Sequence, residues 1–411
     1  MKISHGAKSV FNITALFLLM AAMTALPPAR PARADAPGSD AVLAANLLAV
    51  KLYGRLSVSS GATQSFCFSP YSVSSALAMT YAGASGSTAE EMEKNLGFSE
   101  GMHASGAALR EGLASRPGGA EISIANSIWP QKGYRFLKSF TGLLEKSYGA
   151  LLTPVDFMKQ PESARRQING WVSERTDGRI TDILPPDSVD SSSRLVLVNA
   201  VYFKAAWQAE FQEGATREQE FFLAEGGSVM TPMMHSVRGA GYFDTESFQA
   251  VKLPYKGGGF SMIIVLPREK DGLAALEANL GTGLLEDFRL KPEARRVDLS
   301  IPKFRAESAF SLADALKELG VKSAFDDEAA DFSLMNGKGG LYISAVAHKA
   351  FVAADEDGTE AAAATAVGMA RMSAAYPEEP EAVFRADHPF LFLIEDVGTG
   401  TILFMGRVSR P

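Results

Sequence analysis

The sequence predicts an α+β fold in a single large domain. Three observations carry this. Segments with apolar residues at helical spacing are interspersed with strand-like runs. The two kinds follow no regular strand-helix-strand alternation, which argues against a doubly wound parallel sheet. The 411 residues contain no internal repeat and no long low-complexity linker, so one extended core is expected.

The first 34 residues read as a secretory signal. Lys2 and Lys8 give a positive start, Phe11 to Met23 is apolar, and Ala32-Arg33-Ala34 fits a small-x-small cleavage site. The apolar stretch is short for a bilayer span and is followed by Pro27, Pro28 and Pro31. Cleavage after Ala34 leaves residues 35–411 as the mature domain, in the periplasm or secreted outside the cell. Losing Lys2, Lys8, Arg30 and Arg33 takes the net charge from −7 to −11. Such an acidic chain argues against nucleic acid and anionic membranes as partners. Cys67 is the only cysteine, so no internal disulfide forms. Between Phe66 and Phe68 it reads as a buried small hydrophobe.

The elements follow in order. Ala41 to Leu56 has helical spacing, with Asp40 placed to cap it. Ser72 to Ala82 reads as a buried helix after a Ser69-Pro70 start. Ser163 to Thr176 sets Ile168, Trp171 and Val172 on one face and ends at Asp177-Gly178. Phe310 to Leu319 reads as a helix stopped by Gly320. Arg194 to Phe203 is apolar on both faces, as a strand in a covered sheet should be. Phe260 to Pro267 is a second strand, and Gly340 to Ala354 a third. Phe390 to Ile394 and Thr401 to Met405 form a hairpin across residues 396–400.

The third strand leads into Glu356-Asp357-Gly358-Thr359-Glu360-Ala361-Ala362-Ala363-Ala364-Thr365, an acidic Gly-containing turn and a run of very small residues. Ala favours helix, so a surface helix is the plain reading. However, residues 367–375 have no helical apolar face and end in Tyr376-Pro377-Glu378-Glu379-Pro380. An exposed loop over about 356–380 is therefore expected, and a loop that long in a compact chain is functional or disordered.

Taken together, these segments resemble the serpins. The matching stretches are Phe68 to Met79, Gly83-Ala84, Thr88 to Met92, Asn169 to Val172, Thr176 to Ile180, Leu195 to Lys204 with Trp207, His348 to Phe351, Glu356 to Thr365, Asp387 to Ile394 and Leu403 to Val408. They run in the family's order from about residue 40 to the C-terminus. The resemblance implies a domain of three β-sheets (A, B and C) and about nine helices with an exposed reactive loop. It also implies a suicide-substrate inhibitor of serine endopeptidases rather than an enzyme. A protease cleaves the loop, is held as an acyl-enzyme, and is trapped when the loop's N-terminal arm inserts into the large sheet. Departures from the family are modest. Ala205 replaces a common Gly, Ala353 and Ala354 replace a Glu-Val pair, and residues 372–389 form a longer stretch than in many relatives.

Strand insertion requires one face to fit a packed interior at period two. Thr359, Ala361, Ala363, Thr365, Val367 and Met369 share a face free of charge and of Pro, and the first charge after Glu360 is Arg371. A buried charge there would cost several kcal/mol. The reactive bond implied by the family follows the fourteenth residue after Gly358, namely Met372-Ser373, which suits an elastase-like or chymotrypsin-like target. Arg371-Met372 is the alternative and would select a trypsin-like one.

The resemblance also places Glu356, Gly358, Thr359, Glu360 and Ala361 to Ala364 at the hinge. It sets Trp207 beneath the point of insertion and pairs Glu356 with Lys303. Ser69, Ser72, Asn199 and His348 fall in a polar cluster under the sheet. A monomer without metal or cofactor is expected, and Arg110 and Arg116 are too thinly spread for a polyanion site. Three other readings compete. One is a non-inhibitory member acting as carrier, chaperone or storage protein, and another is an inhibitor of cysteine proteases. The third is a serine hydrolase built on Ser300-Ile301-Pro302-Lys303, which would need that segment at a helix start.

Overall fold

The structure is a computed structural model, and it describes residues 38–150, 152–359 and 380–411. The expected signal segment, the arm Glu360 to Ala364 and both reactive-bond alternatives lie outside the described residues.

Helix α1 (Ser39–Ser59) turns its Leu48, Leu52 and Tyr53 into the core. It is long and apolar enough to cross a membrane, but nearly half its apolar window is buried inside the protein. Its N-cap is Gly38, without a side-chain bond. Asp40 sits inside the first turn, two residues after the cap position, and accepts a hydrogen bond from Ser99, so it does not serve as the cap expected from its type. Strand β1 (Phe66–Phe68) carries Cys67, fully buried, its thiol pKa pushed up by burial. Helix α2 (Pro70–Tyr81) starts as the Ser-Pro pair predicts, with the Ser69 hydroxyl accepting from Ser72 N–H.

Helices α3 (Gly86–Leu96) and α4 (Met102–Ala114) lead to strand β2 (Glu121–Pro130), then to α5 (Lys138–Tyr148) and α6 (Pro161–Arg175). Ile168 and Val172 of α6 are buried against Val196 and Val198 of the long strand β3 (Leu195–Ala206). After β3 come β4 (Arg217–Phe222), β5 (Ser228–Asp244), β6 (Phe248–Pro254) and β7 (Phe260–Pro267). Two short helices, α7 (Leu273–Ala278) and α8 (Thr282–Leu290), precede β8 (Glu293–Pro302) and β9 (Phe304–Ser311). The chain continues through α9 (Ala313–Glu318) and α10 (Ser333–Asn336) to β10 (Ile343–Ala354) and the two-residue β11 (Gly358–Thr359). It ends in β12 (Ala382–Arg385), β13 (Phe390–Asp396) and β14 (Ile402–Val408).

Two of these boundaries correct the reading from sequence. The helix expected over 310–319 shrinks to α9, because Phe310 and Ser311 pair with His348 and Ala347 in the sheet. Ser300 to Pro302 closes strand β8, with Ser300 opposite His235, so the Ser-x-x-Lys segment has no helix start and the hydrolase reading falls. Ten α-helices occur among the described residues, against about nine expected.

The strands form two hydrogen-bonded ladders. One has five strands in the order β2-β3-β11-β10-β9. The other has nine, in the order β1-β14-β13-β7-β6-β5-β8-β12 with β4 on β5. The long β5 belongs to both parts of this ladder. It pairs with β4 and β8 over most of its length and with β6 at its end. Two of the three expected sheets are thus joined along one strand. The main core lies between the ladders, where Leu197, Phe203 and Val352 meet Met262, Phe392 and Phe404.

Candidate functional site

In the five-stranded sheet β3 and β10 lie side by side in parallel, from Leu195 opposite Ile343 to Tyr202 opposite Phe351. Among the described residues, the other strand-strand pairings in this sheet are antiparallel. Just beyond Tyr202 and Phe351 the two strands part, and β11 enters between them. Gly358 stands opposite Ala206 and Thr359 opposite Ala205, while Thr359 also faces Ala354. The chain therefore reverses at the end of β10 and places the first two hinge residues in the mouth of the seam.

The reversal is built from local bonds. The Asp355 carboxylate accepts from Asp357 N–H and Gly358 N–H, both at 3.1 Å, and Asp355 N–H donates to Gly358 O. Burial raises the Asp355 pKa against those two bonds. Gly358 is required by space, since a Cβ there would lie 2.1 Å from the Ala205 carbonyl oxygen. Thr359 is fully buried, with its hydroxyl 2.6 Å from that of Tyr255. Burial also pushes the Tyr255 hydroxyl pKa up.

Trp207 lies directly under this turn. Its ring stacks on Tyr255 at 4.6 Å, its indole N–H donates to Asp355 O, and its backbone N–H donates to Asp357 O. Phe211 N–H donates to Glu356 O. The Glu356 carboxylate takes Lys303 Nζ at 2.7 Å and the Thr216 hydroxyl at 2.7 Å. Burial alone would raise the Glu356 pKa, but these partners outweigh it and hold it below its ordinary value. The hydrogen bond to Glu356 raises that of Lys303.

The second expected cluster lies further down the seam. His348 of β10 and Asn199 of β3 are register partners, and ring Nδ1 meets Asn199 Oδ1. The other ring nitrogen, Nε2, accepts from Ser69 N–H at 3.1 Å. Nδ1 therefore carries the proton, and the ring is neutral. Full burial pushes the His348 pKa down to about 3. Asn199 also donates to the Ser72 hydroxyl and to Asn126 Oδ1, and Ser72 donates to Asn126. One network thus ties α2, β2, β3 and β10.

The structure brings Trp207, Lys303, Glu356, Gly358 and Thr359 together at the top of the seam, and Ser69, Ser72, Asn199 and His348 midway along it. Reading the sequence missed Asn126, Thr216, Phe211 and Tyr255. For Asn126 a signal existed, a lone amide in the apolar run Ile124 to Ile128. Among the described residues no cluster of three or more His, Cys, Asp or Glu could hold a metal.

Comparison with known proteins agrees with this architecture. The family model described as "Serpin (serine protease inhibitor)" matches residues 43–411. An uncharacterized serpin-like protein of Thermococcus kodakarensis is 41% identical over 374 residues, covering 90% of this chain and 85% of its own length. The leukocyte elastase inhibitor of Homo sapiens is 39% identical over 354 residues, covering 84% and 92%. Among solved structures, Arabidopsis AtSerpin1 in its native stressed conformation superposes with a TM-score of 0.80 at 31% identity, covering 91% of this chain and 98% of that one. Serpin48 of the insect Tenebrio molitor gives 0.79 at 32% identity, covering 90% and 98%. The fold, the two polar clusters along its central seam and these matches lead to one conclusion: the chain belongs to the serpin family of serine protease inhibitors.

Proposed function

We propose that this protein is a suicide-substrate inhibitor of serine endopeptidases that works by strand insertion. The observation that carries the reading is the placement of Gly358 and Thr359 between β3 and β10, directly above a seam where those strands pair in parallel. A strand running down from Thr359 would be antiparallel to both neighbours. It would replace one parallel pairing by two antiparallel ones, which are slightly more stable per residue.

Continuing the register from Thr359 opposite Ala205 puts Ala361, Ala363, Val367 and Met369 opposite Phe203, Val201, Leu197 and Leu195. All four of those β3 side chains belong to the main core, so small or apolar partners suit them. Thr365 arrives opposite Asn199, at the level of His348. There its hydroxyl meets the polar groups that the incoming strand separates. Twelve inserted residues gain roughly 20 ladder bonds and break about 8, leaving on the order of 10 kcal/mol at about 1 kcal/mol each. That is comparable to the stability of a captured protease, about 5–15 kcal/mol.

In the proposed reaction the protease serine attacks the Met372 carbonyl, the Ser373 amine leaves, and insertion outruns hydrolysis of the acyl bond. A Met at that position favours elastase-like or chymotrypsin-like targets, in keeping with relatives named leukocyte elastase inhibitors. The N-terminal residues favour export, which the N-terminus of the secreted protein would test by beginning at Asp35. The function itself is tested by mixing the protein with pancreatic elastase. A complex stable in SDS is expected, with a released fragment that begins at Ser373. Cleavage without any complex would point to a substrate, not an inhibitor.

A further inference from the structure

The hinge carbonyls are held by a stretch that has no regular structure of its own. Trp207 N–H and Phe211 N–H, which grip Asp357 and Glu356, belong to residues 207–212 after β3, linked to the rest by Gln208 N–H to Pro254 O and one bridge from Trp207 to Tyr255. The far end of this stretch is held by Arg238 of β5. Its guanidinium lies 3.8 Å from the centre of the Phe211 ring, and Nη1 donates to Ala209 O. Among the described residues Arg238 has no carboxylate partner, and its buried Nε and Nη2 find no acceptor. Burial lowers its pKa to about 10. A cation is costly in such a place, and its side-chain contacts with Phe211 and Ala209 fall on the segment that grips the hinge.

The position of Arg238 in the ladder adds a second connection. Arg238 stands opposite Val297 of β8, and Val297 stands opposite Ala382, the first residue of β12. β8 also leads directly into Lys303, the side-chain partner of Glu356. The backbone grip and the side-chain grip on Glu356 are thus anchored in the same pair of strands, beside the strand that resumes beyond residue 379.

We propose that Arg238 is a positioning residue for loop insertion. It holds Phe211 and Ala209 so that residues 207–211 present their N–H groups to the hinge turn. The turn over Asp355 to Gly358 keeps those bonds when a strand extends below Thr359, so it is already in the geometry that insertion needs. Removing Arg238 leaves the hinge less well placed, insertion slows, and more acylated protease escapes by hydrolysis. This rests on the inhibitory reading above, but the first measurement below does not.

The test compares Arg238→Met and Arg238→Lys with the unaltered protein. Hydrogen exchange at the Phe211 amide, followed without any protease, should quicken about tenfold in R238M, with core amides of β7 unchanged, while R238K restores most of the protection because it keeps a cation over the ring. Trp207 emission, isolated by difference against Trp207→Phe, should shift in R238M. The stoichiometry of inhibition against elastase should rise about threefold in R238M and return with R238K. Unchanged exchange at Phe211 overturns the positioning role. Faster exchange with unchanged stoichiometry overturns its link to insertion. If the unaltered protein traps no protease, the inhibitory reading fails and the exchange result alone decides whether Arg238 holds the hinge. Should R238M not fold, Phe211→Leu removes the ring instead, and exchange at residue 211 is read there.

Discussion

His348 and Asn199 face each other across the parallel pairing of β3 and β10, and their side chains bond directly beneath it. No strand can enter between β3 and β10 without separating them. This bond therefore lies on the line along which the proposed insertion would open the sheet.

Acidification should loosen that line. The folded His348 pKa is depressed to about 3, against an ordinary 6.5. Its contribution is fully present above pH 6.5 and is lost as pH falls from there toward 3, at about 1.4 kcal/mol per pH unit. Thermal unfolding from pH 7.5 to 4.5 should show this loss, and His348→Asn should flatten it. A slope unchanged by the substitution would mean that other groups set the acid sensitivity.

Gly358→Ala should dislodge β11. The added Cβ would meet the Ala205 carbonyl, a backbone atom held within β3. A cost of about 1–3 kcal/mol is expected, as for an overpacked core site. A lower melting temperature and a higher stoichiometry of inhibition should appear together.

Thr359→Arg should convert the inhibitor into a substrate with little change in the native fold. The site is fully buried beside Tyr255, and an unpaired charge there costs several kcal/mol. Only a two-residue strand needs to withdraw to avoid that cost. Full inhibition by this variant, read as SDS-stable complex, would contradict strand insertion.

Glu356→Gln breaks the pair with Lys303 and keeps the shape. Lys303 is 40% exposed in its side chain, so a loss of only about 1 kcal/mol is expected. Because the folded Glu356 pKa lies below its ordinary 4.5, the pair contributes above that pH and fades below it. The difference in melting temperature between the two proteins should be present at pH 7 and shrink below pH 4.5.

The sequence made the long elements legible. Leu195 to Phe203 reads as a covered strand because both its faces are apolar, and Ser69-Pro70 announces α2 through local capping chemistry. Phe310 misled because its apolar neighbours fit helical spacing, while strand pairing with His348 decided its state. Asp40 had the right chemistry for a cap, two residues too late. At the site, local chemistry showed only an acidic Gly-containing turn before a run of small residues, and Glu356, Gly358, Thr359, Trp207, Lys303, Asn199 and His348 were legible through the family resemblance. Asn126, Tyr255 and Arg238 were not, because each acquires its role from a strand distant in sequence. Asn126 matters because the register sets it opposite Asn199, and Tyr255 because it lies between Trp207 and Thr359.

The two residues of β11 also act as a cork. They fill the outermost rungs of a slot whose backbone would otherwise be open to any extended peptide. A stranger, including the arm of a neighbouring molecule, has to start its pairing below Ala205 or first expel the resident pair. Under the proposed insertion, the resident pair would thereby favour the molecule's own arm over a foreign strand.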